Sequence, residues 1–476
     1  MALLRTRRTR PSNTVIVGAG VAGRLVLKEL RRRPELNYVV RGFVDDDPSL
    51  RGRKIEGIPV LGATKDLSRL RKEHALDQAI IAMPSVAGAS VRKIADLCRR
   101  AGLETQIVPG VVDVLTGRAN VSAARPVSVE DLLRRETVVM SDEVKSHFAG
   151  KTVLVTGAAG SIGSELCRNL VLLGIRTLVP LDLDENGIFE LDLELRGLAP
   201  KVRIEPVVGS ILNAAKVEWV LDTYRPHIVF HAAARKHVPL MESHPEEAVE
   251  TNIAGTKQLA ERCAAAGVET FVHISTDKAV EPASVMGASK RISELVVLDL
   301  AAKSKGTRFL TVRFGNVIGS RGSVLDVFRR QLAAGGPITV TDPKMTRFFM
   351  TGDEAAVLLL QSVVIGRPGD LLVLDMGEAV NLMDLARDFI TLSGYESEKD
   401  VEILAVGARP GEKMHEKLHA ADEKIEETKH PRILRVVRPR RVELRGLEAL
   451  LEKAAKMERE ELSRALLAMA NAGGRP

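Results

Sequence analysis

The chain has 476 residues, of which 45% are apolar, 28% charged and 3% aromatic, with a formal net charge of +7. That length exceeds what one core serves and predicts two or three domains, while the composition is that of an ordinary soluble protein. Arg5, Arg7, Arg8 and Arg10 supply four of the positive charges at the very start, and the near-balanced remainder, with few aromatic platforms, argues against a nucleic-acid partner.

Cys98, Cys167 and Cys263 lie far apart without C-x-x-C spacing, so neither a metal site nor a disulfide scaffold is expected, and a reducing cytoplasm fits. The sequence shows no run of 18 apolar residues and no signal-peptide core, which predicts neither a membrane span nor secretion. The basic tail, residues 1–13, reads as solvated, with contact to the inner face of a membrane as the alternative.

The first organised stretch, NTVIVGAGVAGRLVLKEL, reads as a strand running into Gly18-x-Gly20-x-x-Gly23 and then a helix. YVVRGFVDDD supplies a second strand ending in Asp45, about 20 residues past the last glycine. Glycines in such a turn let backbone amides approach a pyrophosphate at the helix N-terminus, and the carboxylate suits ribose hydroxyls. QAIIAMPS continues the alternation, so residues 14–125 are predicted to form a Rossmann-like domain with an unidentified nucleotide as candidate ligand. Packing alone is the alternative role for these glycines.

Residues 126–150 read as a connector with one short helix, and then the pattern restarts. KTVLVTGAAGSIGSELCRNLVLLG gives a strand, the wider turn Gly157-x-x-Gly160-x-x-Gly163 enclosing Ser161 and Ile162, and an amphipathic helix. TLVPLDLDENGIFEL gives a second strand ending in Asp182, 19 residues past Gly163. Together they predict a bound dinucleotide. Asp182 is followed by Leu183 rather than by an arginine, which predicts NAD over NADP, because a carboxylate repels a 2′-phosphate. Further on, FVHISTDKAVEPASVMGASKRISEL places Ser275, Thr276, Asp277 and Lys278 at the end of a buried strand and opens a helix at Met286 to Lys290. Residues 419–432 read as an exposed charged excursion, and 431–476 as a helical tail closed by Gly-Gly, serving packing or a subunit contact.

Six motifs in order, GAAGSIGSEL, VFHAAARKHVPLME, STDKAVEPASVMGASKRISEL, VRFGNVIGSRGSV, ITVTDPKMTRFFMT and RPGEKMHEKL, resemble those of the nucleotide-sugar 4,6-dehydratases of capsule, flagellin-glycan and O-antigen synthesis. These belong to the extended short-chain dehydrogenase/reductase superfamily. The resemblance spans residue 151 to about 420, and the first domain resembles the nucleotide-binding segment of the long members. It implies an α/β fold with two Rossmann-like domains, the second (151–430) a doubly wound parallel sheet with a small C-terminal substrate-binding part. It also implies NAD as cofactor and a homo-oligomer. Long members begin with membrane helices, so the sequence is expected to be either a naturally soluble form or a shortened one.

Carried over residue by residue, the resemblance implies that Gly157, Gly160, Ser161, Ile162, Gly163 and Asp182 hold the dinucleotide and that Ala232 and Ala233 admit the nicotinamide ribose. Lys290 would hold that ribose, and Asn252 would lie behind the cofactor, with helix packing as its alternative. Lys236 would reach the substrate, and Asn316, Arg321 and Arg409 would serve the sugar diphosphate. Arg235 stands where many members have tyrosine, and Ser210 where a carboxylate often contacts adenine. The wider superfamily carries Tyr-x-x-x-Lys where this chain has Met286 and Lys290, and a thioether exchanges no proton. The long members share the methionine, which implies that the 4-hydroxyl proton leaves through Thr276 and ordered water toward Asp277.

Adjacent Asp277 and Lys278 offer an acid and a base for loss of the 6-hydroxyl and the C5 proton. The expected function is NAD-dependent 4,6-dehydration of UDP-N-acetylglucosamine, with retention at C5 favoured. The alternatives are a UDP-sugar 4-epimerase, which needs no acid/base pair for elimination, and a non-catalytic nucleotide sensor. For Met286 the alternative is a space-filling role in an inactive site.

Overall fold

The computed structural model describes residues 11–83, 86, 88–108, 125–133, 138–437 and 444–472. The basic stretch through Arg10 and the final Gly-Gly lie outside them. The chain divides into two compact units, Met1–Thr137 with Leu392–Gly394, and Val138–Thr391 with Tyr395–Pro476.

In the first unit, the β-branched strand Ser12–Val17 enters the glycine turn and the helix Val21–Arg32, whose buried Val26, Leu27 and Leu30 recur at helical spacing. The sheet runs Lys54–Ile55, Ile58–Gly62, Tyr38–Val44, Ser12–Val17, Gln78–Ile81, Glu104–Ile107, Arg125–Pro126, parallel except at its two outermost pairings. Gly18 sits at φ +103°, a conformation closed to side-chain-bearing residues without strain.

The expected connector is divided between the units. Arg125–Pro126 pairs with Glu104–Ile107, and Asp131, buried and bonded to Arg125 at 2.7 Å, starts the helix Val129–Leu132 in the first unit. Asp142–Phe148 is a helix of the second unit, because Phe148 is fully buried and stacks on Phe230 with ring centroids 6.2 Å apart.

The second unit is built on a ten-stranded sheet. Its central order is Arg203–Ile204, Thr177–Asp182, Thr152–Thr156, Ile228–His231, Thr270–Ile274, Arg308–Arg313, Leu371–Leu374, all parallel. From Thr152–Thr156 the chain first builds toward one edge and then returns to build toward the other, so a crevice opens outside the strand ends where the order reverses. Successive strand residues face opposite sides: Val153, Val155, Phe230, Val272 and Leu310 enter one apolar layer, and Leu154, Val179, Val229, Phe271 and Phe309 the other.

The segment expected to begin a helical tail at 431 starts as a strand. Ile433–Val437 runs antiparallel to Leu371–Leu374 and to Lys424–Glu427, since buried Ile433, Arg435 and Val436 continue the sheet's pattern. The helices Leu447–Lys453 and Arg459–Ala472 follow, and Leu447, Leu450, Leu462 and Leu466 cluster with Val285, Ile292 and Val296 of the long helix Val285–Lys303. Short strand pairs between 316 and 405 and the helices Val324–Ala333 and Leu382–Leu392 make up the small C-terminal part.

Candidate active site

The glycine turn of the second unit is shaped by close approach. A Cβ on Gly157, at φ +71°, would lie 2.5 Å from the Ala233 nitrogen, and one on Gly163 would lie 2.1 Å from the Gly157 oxygen. Strand end, helix start and the Ala232–Ala233 backbone therefore meet without side chains between them. Asp182 is fixed by accepting the N–H groups of Ala159 at 2.9 Å and Asp184 at 3.0 Å. A cavity of about 470 Å³ opens against Gly157, Gly160, Asp182, Ser210, Arg235 and Arg321, with Ala232 and Ala233 also in its wall. Amides at a helix start, a fixed carboxylate and small residues at the switch of strand order fit a dinucleotide.

Asp45 in the first unit accepts the Ala19 and Asp47 N–H groups at 2.8 and 2.9 Å, the arrangement seen at Asp182. The resemblance between the two glycine turns therefore extends to the acid that closes each.

The strand Thr270–Ile274 delivers Thr276, Asp277 and Lys278 to the same end of the sheet. Thr276 Oγ1 donates to Asp277 Oδ1 at 2.8 Å, Lys278 Nζ donates to the same oxygen at 2.9 Å, and Lys278 Nζ reaches Asn316 Oδ1 at 3.1 Å. Asp277 is wholly buried, with no hydrogen-bond partner for Oδ2 among the described residues, whereas Thr276 and Lys278 are only partly buried. Such a trio can pass a proton from an outer hydroxyl to a buried carboxylate while an amine stands beside both.

Met286 is 3% exposed and packs among Met241, Val285 and Ile292. It contributes volume and no proton acceptor. One turn on, Lys290 is buried, and its Nζ donates to the Ile274 oxygen at 2.7 Å. Burial pushes its pKa down to about 8, against the opposing pull of Glu294.

Asn252 lies in a π-helical stretch, Val249–Gly255, with its amide bonded to both backbone groups of Arg235 at 2.8 and 3.0 Å and to Ser289 Oγ at 2.9 Å. It is fully buried and acts on the cavity through the Arg235 backbone. Asn316 sits with Lys278, so the structure brings it to the Thr276–Asp277–Lys278 trio. Arg321 instead lies over the glycine turn: its N–H bonds Ser161 Oγ at 3.1 Å, its guanidinium bonds Asp184 at 3.2 Å, and its carbonyl accepts Lys236 Nζ at 2.9 Å. Ile162 packs against the apolar core, leaving its backbone at the helix start, and Arg409 is exposed beyond Ile403–Ala405. Ser210 Oγ accepts the Leu212 N–H at 3.1 Å and lines the cavity at the position where the resemblance implies that a carboxylate often stands.

Sequence reasoning missed a buried ion network behind the trio. Arg313, at 0% exposure, meets Glu294 through two contacts of 2.6 and 2.7 Å and Glu423 at 2.9 Å, while Ser275 Oγ donates to Glu294 at 2.7 Å. The only signal was a charge at the end of the apolar run RFLTVR.

A family of polysaccharide biosynthesis proteins matches residues 153–438. The chain belongs to this family. Through it, the second unit joins the nucleotide-sugar dehydratases and epimerases of the extended short-chain dehydrogenase/reductase superfamily. A CoA-binding domain family matches residues 1–109. One family relative, the probable polysaccharide biosynthesis protein EpsC of Bacillus subtilis, is 42% identical over 432 residues, covering 90% of this chain and 72% of that protein. A UDP-glucose 4-epimerase of Rickettsia rickettsii is 33% identical over 282 residues, 58% of this chain and 80% of its own length. The solved structure of Pen from Bacillus thuringiensis matches with a TM-score of 0.57 and 33% identity, over 61% of this chain and 88% of Pen. Among the described residues, no helix is long and apolar enough to cross a membrane.

Proposed function

We propose that this protein is an NAD-dependent UDP-N-acetylglucosamine 4,6-dehydratase, a hydro-lyase of surface-glycan synthesis that works in the cytoplasm as a homo-oligomer. The observation that carries this reading is the Thr276–Asp277–Lys278 trio, with Asp277 Oδ1 accepting from both neighbours at 2.8 and 2.9 Å. Eliminating a 6-hydroxyl needs a base at C5 and an acid at C6, and a 4-epimerisation needs neither.

Bound NAD would take the C4 hydride and return it to C6, so net redox is zero. Asp182 would hold a ribose diol, the amides after Gly157 and Gly160 the pyrophosphate, and Lys290 the nicotinamide ribose. Thr276 passes the 4-hydroxyl proton to Asp277, the task that a phenol at position 286 would otherwise perform. The proton that reaches Asp277 through Thr276 makes it the carboxylic acid that elimination requires, and the partner it requires is Lys278 as the free amine. Lys278 then removes the C5 proton and gives it back to C5 as C6 takes up the hydride, while the protonated Asp277 supplies the proton that leaves with the 6-hydroxyl as water. Asn316 orients Lys278. Lys236, Arg321 and Arg409 are assigned to the diphosphate, with Arg321 moving off Asp184 to reach it.

The test is incubation with UDP-N-acetylglucosamine without added cofactor, read by mass spectrometry. Loss of one water is expected. An isomer of unchanged mass would replace this reading with the 4-epimerase, and an unchanged substrate would favour the nucleotide sensor.

A further inference from the structure

Across the middle of the second unit's sheet, one row of residues breaks the apolar pattern. Thr156, His231, His273 and Thr311 are register partners on four adjacent parallel strands, and all are buried. By alternation they face the same layer as Leu154, Val229, Phe271 and Phe309, two residues nearer the strand ends. Polar side chains in such a row are retained only where their hydrogen bonds are met.

His231 is fully accounted for. Thr256 Oγ1 donates to the Asn252 oxygen at 2.7 Å, so it accepts from His231 Nε2–H at 2.9 Å, and His231 Nδ1 accepts from Thr156 Oγ1 at 2.8 Å. Burial holds this imidazole neutral, with a pKa down to about 3.

His273 is not accounted for. Its Nε2 lies 3.0 Å from Ser293 Oγ and 3.4 Å from Lys290 Nζ, and its buried Nδ1 has no hydrogen-bond partner among the described residues. Ser293 Oγ also donates to the Lys290 oxygen at 2.8 Å. Two arrangements follow from these contacts. With the proton on Nε2, the ring donates to Ser293 and leaves a bare Nδ1 lone pair, but it then points a hydrogen at Lys290. With the proton on Nδ1, Nε2 accepts from the Lys290 ammonium, at the cost of a buried N–H without an acceptor. A charged Lys290 favours the second form and an uncharged one the first.

We propose that His273 is a positioning residue for Lys290, holding Nζ against the end of strand Thr270–Ile274 and setting the pH at which it loses its charge by exchanging tautomers with it. Position 286 carries a thioether, so no phenolate on that face of the helix shares the task. Burial lowers both groups, Lys290 to about 8 and His273 well below its usual range, and Lys290 adds to the lowering of His273. The other titratable groups facing the pair are His231 on the neighbouring strand, Glu294 one turn along the helix, and Arg313, which is committed to Glu294. The inference deepens the proposed function and rests on it only for its kinetic arm.

The test uses the full chain labelled with 15N-histidine. Long-range 1H–15N spectra report the tautomer of each imidazole, and His273 is identified by the signals lost in His273→Gln. His273 is expected to remain neutral between about pH 6 and pH 10. Over that range it should pass from the Nδ1–H to the Nε2–H form as Lys290 titrates, and it should stay Nε2–H throughout in Lys290→Met. A single tautomer indifferent to both pH and Lys290→Met overturns the proposal.

In the kinetic arm, His273→Leu removes the acceptor and is expected to move the Lys290 limb of the turnover profile down by about one pH unit, while His273→Gln, which keeps an acceptor, holds it near the parent's. A limb unmoved in His273→Leu also overturns it. If the parent turns over no nucleotide sugar, the dehydratase reading fails and the spectra alone decide the role of His273.

Discussion

Asp277 Oδ1 lies 2.9 Å from Lys278 Nζ, with the carboxylate side chain wholly buried and about a fifth of the lysine side chain exposed. In the proposed mechanism the amine is therefore the member of the pair that meets a substrate first, and the carboxylate receives and returns protons behind it. Lys278→Ala should still allow transient C4 oxidation, seen as NADH absorbance, but should block exchange of the C5 hydrogen with deuterated solvent. Asp277→Asn should slow dehydration by at least about 10²-fold. If Lys278→Ala exchanges C5 as fast as the parent, Asp277 becomes the better candidate for the base.

Asp182 is held by two backbone N–H groups and lines the cavity. The purified protein is expected to carry NAD. Asp182→Ala should lose it, and should lose about 1–3 kcal/mol of stability as the Ala159 and Asp184 amides go unpaired. Extraction of NADP as the main nucleotide would contradict the role given to this carboxylate.

Met286→Tyr tests whether the missing phenol matters. The position is packed on all sides, so a larger ring should cost about 1–3 kcal/mol in urea unfolding. Turnover should remain substantial, because the Thr276 to Asp277 contact is untouched. A variant that binds NAD and substrate but has no turnover would show that the shape of the methionine is required and that the Thr276 route is insufficient.

The Arg313–Glu294 pair, both side chains at 0% exposure, makes a stability prediction independent of any activity. Arg313→Met strips the buried Glu294 charge of its two guanidinium contacts from Arg313, leaving Arg291 at 3.2 Å, and should cost up to about 3–5 kcal/mol. Pairing it with Glu294→Leu should recover much of that loss, since an apolar replacement of both partners removes the stranded charge. Chemical denaturation of the three variants measures this, and additive losses would contradict the coupling.

Much of the fold follows from local signals. Strand, glycine turn, helix and a strand ending in an acid are neighbours in the chain, so NTVIVGAGVAG and KTVLVTGAAGSIG made two Rossmann-like folds legible, and Asp45 and Asp182 take matching bonds. The adjacency of Thr276, Asp277 and Lys278 was likewise visible, because the end of one strand sets it. What only the tertiary structure decided depends on residues far apart in the chain. The sequence did not separate residues 125–132, folded into the first unit, from 142–148, whose Phe148 is anchored by Phe230. Nor did it reveal that Ile433–Val437 adds to a sheet begun nearly 300 residues earlier. Strand pairing and burial are settled by which surfaces meet, and a short apolar run carries no record of its partner. The same holds for charge. His273, Lys290, Glu294 and Arg313 read in sequence as isolated polar residues, and only the register of two neighbouring strands against one helix places them in a common buried layer.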